Sequence, residues 1–182
     1  MTERMSPVVG VLETERLRLR PLGAADAAFV LRLLNDPDWL RYIGDRGVRT
    51  LEDAERYIAA GPVAMYGQHG FGLLAVETRG EPAPIGICGL LKRDTLPDVD
   101  IGFAFLPEFR GRGYALEAAR ATLSWARDGL GLARVIAITA SDNVRSRALL
   151  EKIGLRYERT ANLREGAETA VFGVTWADGK PV

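Results

Sequence analysis

Nine residues divide this chain into two kinds of pattern: from Pro107 to Ala115 it reads PEFRGRGYA. Upstream, the β-rich runs Phe71–Glu77, Ile85–Lys92 and Val99–Leu106 are separated by turn-forming clusters at Arg79–Pro84 and Asp94–Asp98. Runs spaced this closely predict strands joined as antiparallel hairpins. Downstream, Leu116, Ala119, Leu123, Ala126 and Leu130 recur at helical spacing, so 114–128 is expected to be an amphipathic helix. A strand that enters a helix through glycines aims several backbone N–H groups one way, and the positive helix end adds to them. That combination binds anions. Gly111 and Gly113 permit positive φ and close backbone approach, and Arg110 and Arg112 add positive potential.

The remaining periodicities complete an order of β-α-α-β-β-β-α-β-α-β-β. Glu15–Arg20 alternates apolar and charged residues as a half-buried strand does, and Pro21 closes it. Ala28, Phe29, Leu31, Leu33 and Leu34 predict a helix from Ala24 that stops at Asn35-Asp36-Pro37. Thr50-Leu51-Glu52-Asp53 reads as a capping box opening a short helix to about Ile58. Arg134–Thr139 is a β-branched strand, Val144–Ile153 a helix closed by Gly154, and Leu155–Thr160 and Thr169–Trp176 are further strands. Antiparallel hairpins followed by β-α-β predict an α/β (α+β) fold with a mixed, mostly antiparallel sheet flanked by about four helices. No repeat or linker divides the chain, so one domain is expected over 11–178, after a flexible stretch at 1–10.

Composition removes several classes of function. With 182 residues, 47% of them apolar, the chain can bury a full core without staples. Its 24 basic and 24 acidic residues are interspersed, so no nucleic-acid footprint is expected. One cysteine, Cys88, excludes an intrachain disulfide, and one Cys with one His, His69, cannot build a zinc site. Cys88 lies in an apolar run and reads as core; His69, between Gln68 and Gly70, reads as a loop residue rather than a base. No apolar run approaches membrane-spanning length, and MTERMSPVVG lacks the layout of a signal peptide, so no membrane partner and a cytoplasmic location are expected.

The anion is narrowed by what the loops are not. GxxxxGK[ST] is absent, and Gly70–Ala75, which fits GxGxxA, leads into a strand instead of a helix. Arg110, Gly113 and Ala115 do fit R/Q-x-x-G-x-G/A. Together with ETERLRLRPL at Glu13–Leu22, GICGL at Gly86–Leu90, DIGFAFLPEFRGRGYALEA at Asp100–Ala118 and SDNVRSRALLEKIGLRYE at Ser141–Glu158, the chain resembles the GNAT N-acetyltransferases from about Leu12 to Trp176. It is most similar to their ribosomal-protein-alanine (RimJ/RimL-type) branch.

The resemblance implies acetyl-CoA as co-substrate, no metal, and a single GNAT-type domain whose sheet splays between 99–106 and 134–139. The pantetheine arm would run along the backbone of Phe103, Ala104 and Phe105 like an added strand. Arg110 and the N–H groups of Gly111, Arg112, Gly113, Tyr114, Ala115 and Leu116 would hold the pyrophosphate, and an N–H near Ala104 or Phe105 would polarise the thioester carbonyl. Asn143 and Ser146 take the family's N-x-x-S positions; capping of that helix is expected from Ser141 or Asp142, and cofactor contact from Asn143 and Ser146. Asp100 stands where relatives carry a carboxylate base, acting here through water, with a solvated strand-end carboxylate as the plain alternative. Where many relatives have a Tyr acid this chain has Leu150, which leaves Ser146, then water, to protonate the thiolate. Trp39, Tyr42, Tyr66 and Phe71 are candidates for an acceptor pocket, with ordinary packing expected of at least two. Arg145, Arg147 and Lys152 are candidates for the 3′-phosphate. The implied reaction is direct acetyl transfer to a primary amine, on a protein N-terminus or a small molecule, and a homodimer is compatible with it. The alternatives are a non-catalytic acyl-CoA-binding or sensing module, for which Leu150 speaks, and a nucleotide-binding module.

Overall fold

The computed structural model describes residues 9–164 and 166–177. Eight strands, β1 (Leu12–Glu13), β2 (Leu17–Pro21), β3 (Leu73–Thr78), β4 (Glu81–Leu91), β5 (Asp100–Phe105), β6 (Arg134–Ala140), β7 (Arg156–Arg164) and β8 (Ala167–Thr175), form one sheet in the order β1-β2-β3-β4-β5-β6-β8-β7. Every neighbouring pair is antiparallel except β5–β6. The expected mixed, mostly antiparallel sheet is therefore present.

Strand alternation builds two cores. Leu74, Val76, Cys88, Leu90, Ile101 and Phe105 pack with Ala118, Ala119 and Leu123 of α5 (Tyr114–Ser124). Leu73, Ala75 and Ile87, the alternate residues, pack with Val30, Leu33, Ala54 and Ile58. Those come from α1 (Ala27–Leu34) and α3 (Leu51–Ile58). Burial on both faces accounts for the unbroken apolar run Leu73–Val76, which does not alternate.

The remaining helices are α2 (Pro37–Tyr42), α4 (Ala64–His69) and α6 (Val144–Lys152). The first helix stops at Leu34, before Asn35-Asp36-Pro37 as the sequence suggests, but a second helix follows at once. Asp36 caps a new helix by accepting the N–H groups of Asp38 and Trp39, and Pro37 takes its first position, where a missing N–H costs nothing. α3 runs to Ile58 as read, and a wider turn at Ala59–Val63 absorbs Pro62 and leads on into α4. Counting α3–α4 as one, five helices flank the sheet among the described residues. The capping box at Thr50 and Asp53 forms as read. The expected flexible segment falls mostly on residues 1–8, outside the described residues, whereas Val9 already packs in the core.

One feature of the topology prepares the site. β4 pairs with β5 from Gly86↔Phe105 to Leu91↔Asp100, but β6 meets β5 at Asp100↔Ile136 alone. From there β6 pairs along its whole length with β8. The sheet therefore opens beside Phe103–Phe105.

Candidate active site

A cavity of about 490 Å³ occupies the opening. Phe103, Ala104 and Phe105 of β5 form one wall, and the Arg110–Leu116 junction closes one end. The start of α6 supplies Asn143, Arg145 and Ser146, and α1 and α2 supply Leu33, Trp39 and Tyr42. The open edge of β5 leaves strand-type hydrogen-bonding groups facing a slot, which suits an amide-bearing chain laid alongside.

The junction adopts the shape its glycines predict. Gly111 and Gly113 have φ of 74° and 79°, a region costly for any residue with a Cβ. The first N–H bonded within α5 is that of Glu117, to Gly113 O at 3.1 Å. Among the described residues the N–H groups of 111–116 meet no protein acceptor, so six donors lie at the positive end of a helix for an anion to use.

The arginines of this loop do something else. Arg110 Nε donates to Phe105 O at 3.0 Å, and its two terminal nitrogens donate to Asp38 at 2.7 Å and Asp36 at 2.6 Å. Its charge is matched by carboxylates, and it ties the loop to the start of α2. Arg112 does not line the cavity; its guanidinium sits 5.9 Å from the Phe109 ring centroid.

Three residues the sequence reading did not single out hold the loop from outside. Arg16 donates to Arg112 O at 2.9 Å and to Glu117 at 2.7 Å, and lies over the Tyr114 ring at 4.7 Å. Glu117 also accepts from the Thr14 hydroxyl and the Arg16 N–H. Burial pushes the Glu117 carboxyl up, but these hydrogen bonds and the Arg16 charge outweigh it and hold it below the usual range. Nothing local marks these residues, because the partners are about a hundred positions apart.

At α6 the cap is Asn143, whose Oδ1 accepts the Ser146 N–H at 3.2 Å. This corrects the expectation for Ser141 and Asp142. Among the described residues the buried Ser141 hydroxyl has no hydrogen-bond partner, and Asp142 instead accepts from Arg41 of α2 at 3.3 Å. Asn143 and Ser146 both line the cavity. Arg145 donates to Asp38 at 2.8 Å, so α2 and α6 are bridged across the cavity. Lys152 lines the cavity, whereas Arg147 does not; it donates to Ser141 O at 2.9 Å. Leu150 is packed in the core.

Asp100 stands where β5 and β6 begin to part, but it is not among the cavity-lining residues. It is 1% exposed and accepts from Arg93 Nε at 3.1 and 3.3 Å. Burial raises its pKa, and the charge and hydrogen bond of Arg93 oppose the rise.

Trp39 and Tyr42 line the cavity, but Tyr66 and Phe71 do not. The Tyr66 hydroxyl accepts the Leu22 N–H at 3.0 Å and donates to Leu73 O, pinning β2 to β3, and burial pushes its pKa up to about 12. Phe71 is core, stacked on His69. Aromatic residues look alike in sequence whether they face a cavity or fill a core, so spacing could not separate the two pairs. Cys88 is buried against Thr122, and desolvation pushes its thiol up to about 12, which suits packing rather than nucleophilic work.

The residues present fit a linear ligand with an anionic part at the junction and an amide-bearing arm along β5. Among the described residues, no group of three or more His, Cys, Asp or Glu is arranged to hold a metal ion, and no helix is long and apolar enough to cross a membrane.

Comparison with known proteins points the same way. The family model described as acetyltransferase (GNAT) domain matches residues 16–156. The FsC-acetyl coenzyme A-N(2)-transacetylase of Aspergillus fumigatus is 31% identical over 166 residues, covering 88% of this chain and 69% of that protein. The structure of an acetyltransferase from Agrobacterium tumefaciens is 27% identical, with a TM-score of 0.80 over 97% of this chain and all of that one (100%). The ribosomal-protein-S5-alanine acetyltransferase of Vibrio fischeri shares the fold with a TM-score of 0.78 over 94% of this chain and 100% of that one, at 19% identity.

Proposed function

We propose, from the premise that this chain belongs to the acetyltransferase (GNAT) domain family and is an acetyl-CoA-dependent N-acyltransferase, that the cavity between β5 and β6 is where acetyl-CoA meets a primary amine. The observation that carries this reading is the conjunction of an open β5 edge with six uncommitted N–H groups on 111–116. Acetyl-CoA supplies an acyl group activated as a thioester, whose sulfur takes up one proton as the amine gives one up.

Each residue then has a task. The N–H groups of Gly111 to Leu116 hold the pyrophosphate, and the backbone of Phe103, Ala104 and Phe105 aligns the pantetheine arm and supplies the donor that stabilises a developing oxyanion. Arg110 shapes the loop through Asp36 and Asp38 instead of meeting phosphate itself. Lys152, which lines the cavity and forms no ion pair among the described residues, is the cation best placed for the 3′-phosphate. Ser146 carries the proton for the departing sulfur, since Leu150 offers none and lies in the core. Asp100 takes the amine proton through water, with Arg93 setting its charge.

Both a protein N-terminus and a small amine fit this scheme. Kinship with the RimJ/RimL-type branch is supported by the shared fold of a ribosomal-protein acetyltransferase, and a small acceptor by the relative named for N(2)-transacetylation.

Thermal unfolding with acetyl-CoA, CoA, ATP and NAD added separately tests the donor assignment. At about 100 times its dissociation constant a ligand adds roughly 2.7 kcal/mol, a shift of a few degrees at this size. Stabilisation by acetyl-CoA and CoA alone is expected, followed by thiol release when amines are added. Stabilisation by ATP or NAD in their place would overturn the reading.

A further inference from the structure

Beyond the residues given to the donor, other elements also contribute to the cavity. Leu33 of α1, Trp39 and Tyr42 of α2, Ile43 just beyond it and Phe109 line it. Trp39 is fixed in place, its Nε1–H donating to Gly44 O at 3.1 Å. Ile43 and Phe109 keep part of their apolar surface accessible.

Charge on the lining is the second observation. Apart from Lys152, given above to the 3′-phosphate, the charged lining consists of two carboxylates, Asp36 and Asp38, and two guanidinium groups, Arg110 and Arg145. The carboxylates are not spare. Asp36 accepts from Arg110 at 2.6 Å while capping α2, and Asp38 accepts from Arg110 at 2.7 Å and from Arg145 at 2.8 Å. An acceptor bearing several ammonium groups would have to displace guanidinium groups from a partly buried network. An apolar group meets no such opposition and removes apolar surface from water on both sides.

We infer that the acceptor is a primary amine whose neighbouring group is apolar or aromatic, seated against Trp39, Ile43 and Phe109, and that polycationic amines are poor acceptors. This rests on the reading that the cavity is the acetyl-transfer site. The same chemistry is offered by a free arylalkylamine and by a peptide beginning with Phe.

The experiment measures CoA thiol release at saturating acetyl-CoA with phenethylamine, a peptide beginning with Phe, spermidine and kanamycin, for the wild-type chain and Ile43→Asp. Expected is a kcat/KM at least about tenfold higher for the better aromatic acceptor than for spermidine or kanamycin. Comparing phenethylamine with the peptide tells a small-molecule source from a protein N-terminus. In Ile43→Asp the aromatic-to-spermidine ratio should fall about tenfold, because the change removes apolar surface and adds an unmatched carboxylate. Damage to the fold lowers both rates and leaves the ratio alone, so an unchanged ratio overturns the inference. Preference of the wild-type chain for spermidine or kanamycin also overturns it and leaves the acetyl-transfer reading intact. Thiol release with none of the four, in a chain that acetyl-CoA does not stabilise, overturns both.

Discussion

Asp100 and Arg93 pose the sharpest residue-scale question, because a carboxylate 1% exposed must still change charge if it serves as a base. Burial raises its pKa, and Arg93 is what holds the rise in check. The acid limb of a pH–rate profile reports the ionisation of an essential base in the free enzyme. Removing the cation should therefore move that limb to higher pH. Arg93→Met is expected to shift the acid limb of kcat/KM upward, and Asp100→Asn to abolish the limb with a loss of about 10²-fold or more. A profile untouched by either change would leave Asp100 as a buried structural carboxylate. Its position was readable in sequence, but its partner was not: Arg93 lies across the 94–98 turn and shows nothing in its own neighbourhood.

At the scale of elements, α2 is the piece that sequence patterning missed, and it connects the two sides of the cavity. Six residues are too few to display a helical period, and a Pro after Asn-Asp reads as a stop. Tertiary contacts supply what propensity lacks: Arg110 binds the cap, and Arg145 and Arg41 bridge to α6. The Arg41–Asp142 pair is exposed on both sides and contributes under about 1 kcal/mol. Asp36 is buried, so Asp36→Ala removes a cap and leaves a half-buried guanidinium short of a partner. Urea denaturation should show a loss of about 2–3 kcal/mol, accompanied by weaker acetyl-CoA binding as the loop loses its anchor. Weakened stability with unchanged affinity would separate α2 from the loop.

Over the whole molecule, two acidic clamps tie distant parts of the sheet to the helices. Asp26, pushed up by burial but held down more strongly by Arg20 and the Gly23 N–H, joins the start of α1 to β2. Glu117 joins α5 to the turn between β1 and β2. Both have folded pKa values below their unfolded ones, near about 4. Their stabilisation is complete above the unfolded values and is lost as pH falls through the folded ones. Asp100 has the opposite sign, its raised pKa favouring the folded state at low pH and losing that contribution as pH rises. Denaturation as a function of pH should therefore show stability falling below about pH 4, and Glu117→Gln should flatten that fall. An unaltered slope in the variant would show that the Glu117 clamp does not contribute.

The amino-acid sequence determined the features whose causes lie within a few residues. The hairpins at 71–106 follow from alternation and turn chemistry, the box at Thr50 from a three-residue spacing, and the donor-lined loop from two glycines needing positive φ at a helix start. Even the opening of the sheet was legible, through resemblance. Only the tertiary structure decided which charges meet. Arg110 finds Asp36 and Asp38 more than 70 positions away, Arg16 finds Glu117 about 100 away, and Trp39 and Tyr42 reach the cavity while Tyr66 and Phe71 do not. A local pattern encodes which side of an element is buried. It does not encode what the buried side meets, and that depends on how the whole sheet stacks its helices.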